Sequence, residues 1–295
     1  DSTWVEGDAD EGGTTISAAN SDNSFNDSGS AFALSAGEYI RVSGFTEAAN
    51  NGVFKIDTAT TAKLTVVGKT LVDESAGVTV KIDQLDTITN GTTLTTLAIQ
   101  KNYQDLDTTL SRLTGMGIDS LSIEVPTNGI ITGSVNYIGK DEVSSASASS
   151  TAAATTTGIF NSVDDVDAIL ENDASYPATG FSFNVTNNIR QRLQIGTLGS
   201  ASLAAGSVDV SGSLRAYFAT PAAYDKFLNQ TSTSLSAMCS DSLGNAYVFE
   251  FPEVKFTGGS RVAEGQNQDI MADLQWSAFM DPTDSYTVRI HRHSA

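Results

Sequence analysis

The sequence predicts an all-β fold. Over much of its 295 residues, apolar and polar side chains alternate in short runs, the pattern of strands with one buried face. Hydrophobic residues make up 40% of the chain and charged residues only 17%, so Ser, Thr, Asn and Gly cover much of the surface. Only two short segments have helical spacing. We therefore expect a β-sandwich or barrel with one or two short flanking helices and a small inserted β domain.

Residues 13–83 are expected to form the inserted domain, because short alternating runs recur there between turn signals. Its four predicted strands are Tyr39–Ser43, Gly52–Ile56, Lys63–Val67 and Gly77–Ile82. Asn51 and Gly52 are a favoured pair for a tight turn between the first two strands. Polar, turn-rich stretches flank this region, so residues 1–12 and 84–295 are assigned to the main body.

The main body is predicted from longer strands with clean alternation. They cover residues 121–125, 181–186, 208–218, 247–251, 270–280 and a closing strand around 288–290. Phe181, Phe183 and Val185, for example, share one face of the second of these strands. Gly212 lies within the third, where its missing side chain would permit a bend or a bulge. Pro252 is expected to end the fourth strand or to place it at a sheet edge.

Two segments have helical signals. In Ser162–Glu171, the residues Val163, Val166 and Leu170 have helical spacing. Pro221–Asn229 begins with Pro221 after a threonine, a favourable helix start. Residues 143–157 are almost entirely Ser, Ala and Thr, so we expect a flexible loop unless a neighbouring subunit holds it.

The charge and the rare residues exclude several classes of function. A net charge of −19 leaves little basic surface for sequence-specific binding of nucleic acid. It would suit a surface that nucleic acid passes without sticking, although simple solubility explains it equally well. Cys239 is the only cysteine, and His291 and His293 are expected in a terminal tail, so disulfides and zinc sites are not predicted.

The ends of the chain give two further expectations. No stretch approaches the roughly 18 consecutive apolar residues that span a bilayer, so no membrane insertion is predicted. The first residue is Asp1, and Asp1–Val5 resembles the continuation of a longer segment, so we expect processing, truncation or further residues upstream.

No catalytic, cofactor or metal residue is assigned. A cluster of acidic residues suggests a hard-cation site, but its spacing lacks the glycine and the terminal glutamate of a calcium loop. The cluster comprises Asp164, Asp165, Asp167, Glu171 and Asp173. Acids at the start of the predicted helix are explained by the helix dipole. Motifs for nucleophilic catalysis or phosphate binding do not occur, so the chain is not predicted to be an enzyme.

Several segments together resemble a known family. They are Ile130–Lys140, Phe181–Arg190, Ile195–Ser200, Val208–Phe218, Tyr224–Leu228, Ala246–Phe256, Gln268–Trp276 and Met280–Pro282. In this order and spacing they are similar to the major tail tube proteins of siphophages, over roughly residues 94–290. The likeness is far more specific than any single short motif.

This resemblance implies a structural subunit of the virion, assembled in the host cytoplasm. The family forms rings, expected to be hexameric, whose strands join into a continuous barrel and which stack into a hollow, acidic conduit for DNA during ejection. The implied partners are further copies of the chain, the tape measure protein, and the tail terminator and distal tail proteins. Residues 13–83 would decorate the tube exterior, whereas the expected N-terminal strands are missing.

Six residues between two predicted strands are candidates for an inter-subunit contact loop: Asn187, Asn188, Arg190, Arg192, Gly196 and Gly199. Arg190 and Arg192 could pair with carboxylates of a neighbouring subunit, or could simply lie at an exposed strand end. The two glycines are expected to have positive φ angles in a tight loop. The alternative function is a phage or cell-surface β-sandwich module that binds glycan through residues 13–83.

Overall fold

The computed structural model describes residues 4–7, 10–103, 110–145, 158–218, 222–263 and 269–294. Within them lie 22 β-strands, one α-helix and a 3-10 helix at Ala48–Asn50, which confirms the all-β class. The first seven strands are β1 (Asp10–Gly13), β2 (Ile16–Ala19), β3 (Ser24–Asp27), β4 (Tyr39–Ser43), β5 (Gly52–Thr60), β6 (Lys63–Val67) and β7 (Val80–Gln84). Next come β8 (Asp86–Thr89), β9 (Leu97–Asn102), β10 (Leu110–Val125), β11 (Thr132–Ile138), β12 (Asp141–Ser145), β13 (Val166–Glu171), β14 (Ala174–Ser175) and β15 (Ala178–Thr186). The last are β16 (Arg190–Arg192), β17 (Ser202–Ala204), β18 (Asp209–Tyr217), helix α1 (Ala222–Asn229), β19 (Thr233–Ser240), β20 (Ala246–Ala263), β21 (Ile270–Phe279) and β22 (Arg289–His293).

The first sheet is antiparallel, with strand order β1-β7-β4-β5-β6-β3-β2. Three predicted strands are confirmed as β4, β5 and β6, and the fourth begins at Val80 instead of Gly77. Strands β1 to β3 were not predicted, because Gly, Asp, Asn and Ala, which fill much of them, are poor strand formers. The tight turn predicted at Asn51 and Gly52 is wrong, since residues 44–51 form a longer connection that contains the 3-10 helix.

Three aromatic rings hold the core of the first sheet. The centroids of Phe25 and Phe54 lie 5.3 Å apart in an edge-on contact, and Phe25 stacks on Phe45 at 5.6 Å. The buried residues of this core all lie between Ile16 and Ile82, so the sheet encloses an apolar cluster of its own. The division of the chain at residues 13 and 83 stays a prediction.

The second sheet has thirteen strands, with the main order β11-β10-β15-β18-β21-β20-β19-β13-β14. Strands β10 and β20, of 16 and 18 residues, each span two parts of it. β9 and β12 pair with the first half of β10, while β22 joins β20 to β8. The sheet covers one aromatic core. There the ring centroid of Trp276 lies 4.9 Å from that of Phe251 and 5.9 Å from that of Phe181.

Gly212 does not produce the predicted bend or bulge. Its strand β18 keeps an unbroken register there, with Gly212 opposite Phe183 on one side and Trp276 on the other. A Cβ atom at this position would lie 2.2 Å from the Ser182 carbonyl oxygen and 2.4 Å from the Trp276 ring. The position requires glycine because the indole ring packs directly against the strand.

The predicted helices have different outcomes. Helix α1 confirms the second one over Ala222–Asn229, while Pro221 lies outside the described residues. The helix predicted at Ser162–Glu171 is wrong, because its second half is strand β13, buried on both faces. Ile169 contacts the main core and Ala168 contacts the first sheet. Because both faces of the strand are apolar, apolar and polar residues do not alternate along it, and the spacing resembles that of a helix.

Two other sequence predictions concern loops and membranes. Residues 143–145 of the predicted flexible loop belong to β12, so that part of the prediction is wrong, and residues 146–157 lie outside the described residues. Helix α1, the one α-helix of the described chain, is too short to cross a membrane.

The two sheets share an apolar and ionic junction. Tyr39, Val53 and Leu85 pack against Met238 and other buried residues of β13, β19 and β20. Lys69 forms an ion pair with the carboxylate of Asp167, whose side chain is 6% exposed. The first sheet is therefore attached to the main body by side-chain contacts as well as by the chain itself.

Candidate assembly surface

One face of the second sheet is a concave polar surface. On β10, β15, β18 and β21 the residues between the core positions point away from the core, as strand alternation requires. They form a shallow concavity of about 690 Å³. We call this surface the polar face; its central residues are Ser122, Glu124, Ser134, Ser182, Asn184, Ser211, Ser213, Thr257, Gln275 and Ser277.

Side chains of the polar face bond to one another across the strands. The hydroxyls of Ser122 and Ser134 lie 2.8 Å apart, as do those of Ser182 and Ser213. Among the described residues, ionic groups are few there. By strand register they are the carboxylates Glu124, Asp209, Glu253 and Asp273 and the cations Arg215 and Lys255. Because carboxylates outnumber cations and four of the serine hydroxyls bond to one another, this surface is weakly acidic and poorly suited to hold phosphate.

The polar face is bordered by strands that are paired on one side. Within the described residues, β11 pairs only with β10, and residues 255–263 of β20 pair only with β21. Every residue of β11 except Ile138 is exposed, including Val135 and Tyr137. Such edges present backbone donors and acceptors that another strand can pair with.

The predicted contact residues lie in a hairpin of β16 and β17 and at its base. The Asn187 N–H donates to the Asp119 carbonyl (2.7 Å), and the Asn188 side chain donates to the Asp209 carboxylate (2.7 Å). Both asparagines therefore anchor the base of the hairpin. Arg190 and Arg192 are exposed on β16.

The loop of this hairpin depends on its glycines. As predicted, Gly196 and Gly199 have positive φ angles, 86° and 82°. A Cβ on Gly199 would lie 2.7 Å from the Lys140 carbonyl oxygen, whereas Gly196 has nothing within 4 Å of that position. The loop thus rests on the turn after β11 at Gly199 and projects freely at Gly196.

The hairpin loop exposes three aliphatic side chains that sequence reasoning did not single out. Leu193, Ile195 and Leu198 are 78%, 102% and 94% exposed, the highest values for large apolar residues of the described chain. We call them the hairpin tip. The sequence does contain a signal for this exposed loop. Its aliphatic residues stand next to glycines, in a segment, 187–208, that has two arginines and no Asp or Glu.

An apolar recess lies beside the base of the hairpin. It has a volume of about 440 Å³ and shares no residue with the hairpin tip. Its apolar lining comprises Ile88, Leu94, Leu97, Ile118, Ile189 and Val208. Leu97 and Ile118 are 41% and 38% exposed, so apolar surface is open to contact.

A buried polar cluster at the sheet junction centres on Glu250. Burial raises the pKa of this carboxyl, but a hydrogen bond from His291 and the charges of Lys55 and Arg289 outweigh burial and lower it. Burial lowers the pKa of His291 despite its carboxylate partner. His291 is therefore neutral at pH 7 and donates its Nε2 hydrogen to Glu250 over 3.0 Å.

The two histidines do not lie in a terminal tail, as the sequence had suggested. Both belong to β22, and His293 Nδ1 lies 2.8 Å from the Gly244 carbonyl oxygen. Cys239 is buried on β19, and burial raises the pKa of its thiol to about 12. These groups serve packing and hydrogen bonding within the fold.

The acidic cluster between 164 and 173 is distributed among separate partners. Asp167 pairs with Lys69, Glu171 with Lys226 and Asp173 with Lys55. The helix-dipole explanation of these acids is wrong, because Asp167 and Glu171 lie on a strand. Among the described residues, no group of three or more His, Cys, Asp or Glu side chains is placed to hold a metal ion.

The chain was compared with models of known protein families and with curated proteins. The family model described as phage tail tube protein matches residues 8–278, which include all of the first sheet and most of the second. No curated protein matches the sequence.

Proposed function

Because this chain belongs to the phage tail tube protein family, we propose that it is the repeating subunit of a siphophage tail tube, arranged in hexameric rings that stack into a conduit for DNA. Membership of the family makes it a structural component of the phage tail, and so of the virion, and implies a role without catalysis. The ring, its copy number and the passage of DNA are the proposed part. The observation that carries the proposal is the concave polar face between two one-sided strand edges.

Ring closure follows from those edges. Residues 255–263 of β20 in one copy would pair with β11 of the next, and the polar faces would merge into one barrel wall. Pairing around a closed ring leaves no edge for uncontrolled aggregation. The exposed Val135 and Tyr137 on β11 would become buried in that contact.

The chemistry of the polar face suits passage of DNA. Serine hydroxyls that bond to each other need no phosphate partner, and the excess of carboxylates repels the DNA backbone. The same weakly adhesive wall would surround the tape measure protein before ejection. The tail terminator and distal tail proteins would cap the two ends after assembly in the host cytoplasm.

The first sheet would then lie on the tube exterior. Strands β13 and β19 separate the two cores, since Ile169 and Ala237 face the main core while Ala168 and Met238 face the first sheet. The polar face lies on the far side of the main core. A polar face that lines the lumen therefore places residues 13–83 outside, as a decoration domain.

Electron microscopy of the purified full-length chain tests this proposal. We expect hollow tubes with a regular axial repeat, six-fold rings in end views and protrusions on the outside. A hexahistidine tag inserted at Gly77, which has nothing within 4 Å of a Cβ position, should bind nickel–gold particles along the exterior. Monodisperse monomers at all concentrations would refute the ring, and gold inside the tube would refute the orientation.

Deletion of residues 13–83 is a less direct test. It would uncover Ala168, Met238 and other residues that pack against the first sheet, and it would remove Lys69 from the carboxylate of Asp167. Loss of assembly in that variant could follow from misfolding. The tagged full-length chain keeps both cores intact.

A further inference from the structure

We propose that the hairpin tip of one copy inserts into the apolar recess of a second copy of this chain. The inference rests on the proposed function and deepens it, because it names the surfaces that join subunits in addition to the strand edges. It begins from the exposure of Leu193, Ile195 and Leu198, which no folding requirement explains. Apolar side chains exposed together in a projecting loop are typical of a contact site.

The tip does not reach the recess of its own copy. The recess lies at the hairpin base, where Ile189 and Val208 line it, while the tip lies beyond the three-residue strands β16 and β17. Three residues of strand extend about 10 Å at about 3.3 Å per residue. Gly199 and Ser200 hold the loop against the turn at Lys140, and the Ser200 N–H donates to that carbonyl over 3.0 Å.

The recess has the chemistry of a receptor for such a tip. Its lining combines seven aliphatic residues with four threonines and two asparagines, and its volume of about 440 Å³ can take aliphatic side chains. Leu97 and Ile118 are partly exposed and would be covered by the incoming tip. Side chains of matching apolar character thus occupy the projecting and the receiving surface.

Charge favours a second copy as the occupant. Residues 187–208 carry Arg190 and Arg192 without any acid, in a chain whose net charge is −19. The hairpin is therefore a basic projection on an acidic protein, and another copy offers it an acidic surface. Asp119 directly follows Ile118 of the recess, and its carboxylate accepts the N–H of Ile189, so an acidic group lies at the recess itself.

The contact would be heterologous. Tip and recess are different surfaces, so each copy keeps one free tip or recess after each contact, and the contact repeats from copy to copy. Such a contact builds rings or stacks, as a tail tube requires, instead of closed dimers. This property links the hairpin to the proposed function.

Substitution of the tip tests the inference. A variant with Leu193→Ser, Ile195→Ser and Leu198→Ser should raise the critical concentration for tube formation at least tenfold, measured by light scattering and microscopy. Its melting temperature should equal that of the wild type, because the replaced side chains are exposed. The matched control removes three exposed apolar side chains elsewhere, through Val72→Ser, Leu228→Ser and Leu243→Ser, and should assemble normally.

Disulfide trapping identifies the receiving surface. In a chain with Ile195→Cys and Leu97→Cys, mild oxidation should produce a ladder of linked copies, whereas either single variant should produce dimers at most. The buried Cys239 should not react. A ladder and a tip-dependent critical concentration support the inference.

The failures of the two proposals are distinguishable. Tubes that form equally well from the tip variant, or tubes without linked copies, overturn the tip contact and leave the tail tube subunit standing. Monomers without linked copies in both experiments overturn both. If the chain with Ile195→Cys and Leu97→Cys gives linked ladders but the wild-type chain never forms tubes, the contact is supported and the tail tube function is refuted.

Discussion

Replacing Asp167 by alanine should strongly destabilise the junction of the two sheets. Its carboxylate accepts the buried Val53 N–H over 3.1 Å and the Ser240 hydroxyl over 2.5 Å, and it pairs with Lys69. The side chain is only 6% exposed, so water does not replace it readily. The missing side chain of Gly52 leaves room for the ion pair of Asp167 and Lys69, because a Cβ atom at Gly52 would lie 2.5 Å from the Asp167 carboxylate.

The magnitude follows from the groups left behind. The Val53 N–H loses its acceptor in a fully buried position, which costs about 1–3 kcal/mol. The lost Ser240 hydrogen bond adds about 0.5–1.5 kcal/mol. Lys69 is 27% exposed and also donates to the Asn51 carbonyl, so water compensates it and its ion pair adds at most about 1 kcal/mol. We expect a total loss of about 2–4 kcal/mol for Asp167→Ala.

Urea unfolding followed by far-UV circular dichroism measures this loss as a shift of the midpoint at a common slope. Asp167→Asn keeps an acceptor for Val53 and removes the charge, so it should lose only about 1 kcal/mol. Asp164→Ala is the matched control, since Asp164 is exposed and lies three residues away. A loss below about 1 kcal/mol for Asp167→Ala, or an equal loss for the control, would refute the assigned role.

Three more outcomes are expected. Gly212→Ala should lower the melting temperature and cost at least about 1–3 kcal/mol, because its Cβ meets a backbone carbonyl oxygen at 2.2 Å; an unchanged melting temperature would contradict this packing. The free energy of unfolding should fall as the pH is lowered from 7 to 5. In the unfolded chain His291 takes up a proton near its ordinary pKa of 6.5, whereas burial lowers its pKa in the folded chain and keeps the ring neutral. His291→Gln, which can still donate to Glu250, should flatten that slope, and an equally steep slope would assign it to other groups. Cys239, whose pKa is raised to about 12 by burial, should react with thiol reagents only on unfolding, so prompt labelling of the native protein would count against its burial.

The strands that the sequence predicts best have one buried and one polar face. Phe181, Phe183 and Val185 alternate with polar residues because one side packs in the core and the other belongs to the polar face. Period-two alternation is then directly visible in the sequence. Register, by contrast, depends on partners far along the chain, such as Leu214 opposite Leu274, which no local pattern encodes.

Features created by contacts between distant segments were not predictable. Strand β13 lies between two cores, so Ala168 and Ile169 are both buried and alternation disappears. His291 was assigned to a tail because its partner Glu250 is 41 residues away. The exposed hairpin tip was missed because apolar residues usually predict burial, and exposure becomes apparent only when the surrounding chain is in place.

Charge and edge contacts act in opposite directions in this subunit. A net charge of −19 makes free copies repel one another, which limits uncontrolled pairing of the exposed β11 edge. The repulsion decays over about 8 Å at physiological ionic strength, whereas strand pairing and apolar contact act only at direct contact. A single contact would be weak against that repulsion, but edge pairing and a tip contact made together in a ring would reinforce each other. Exposed edges on a highly acidic chain are therefore consistent with a protein that stays dispersed until many correctly oriented copies meet.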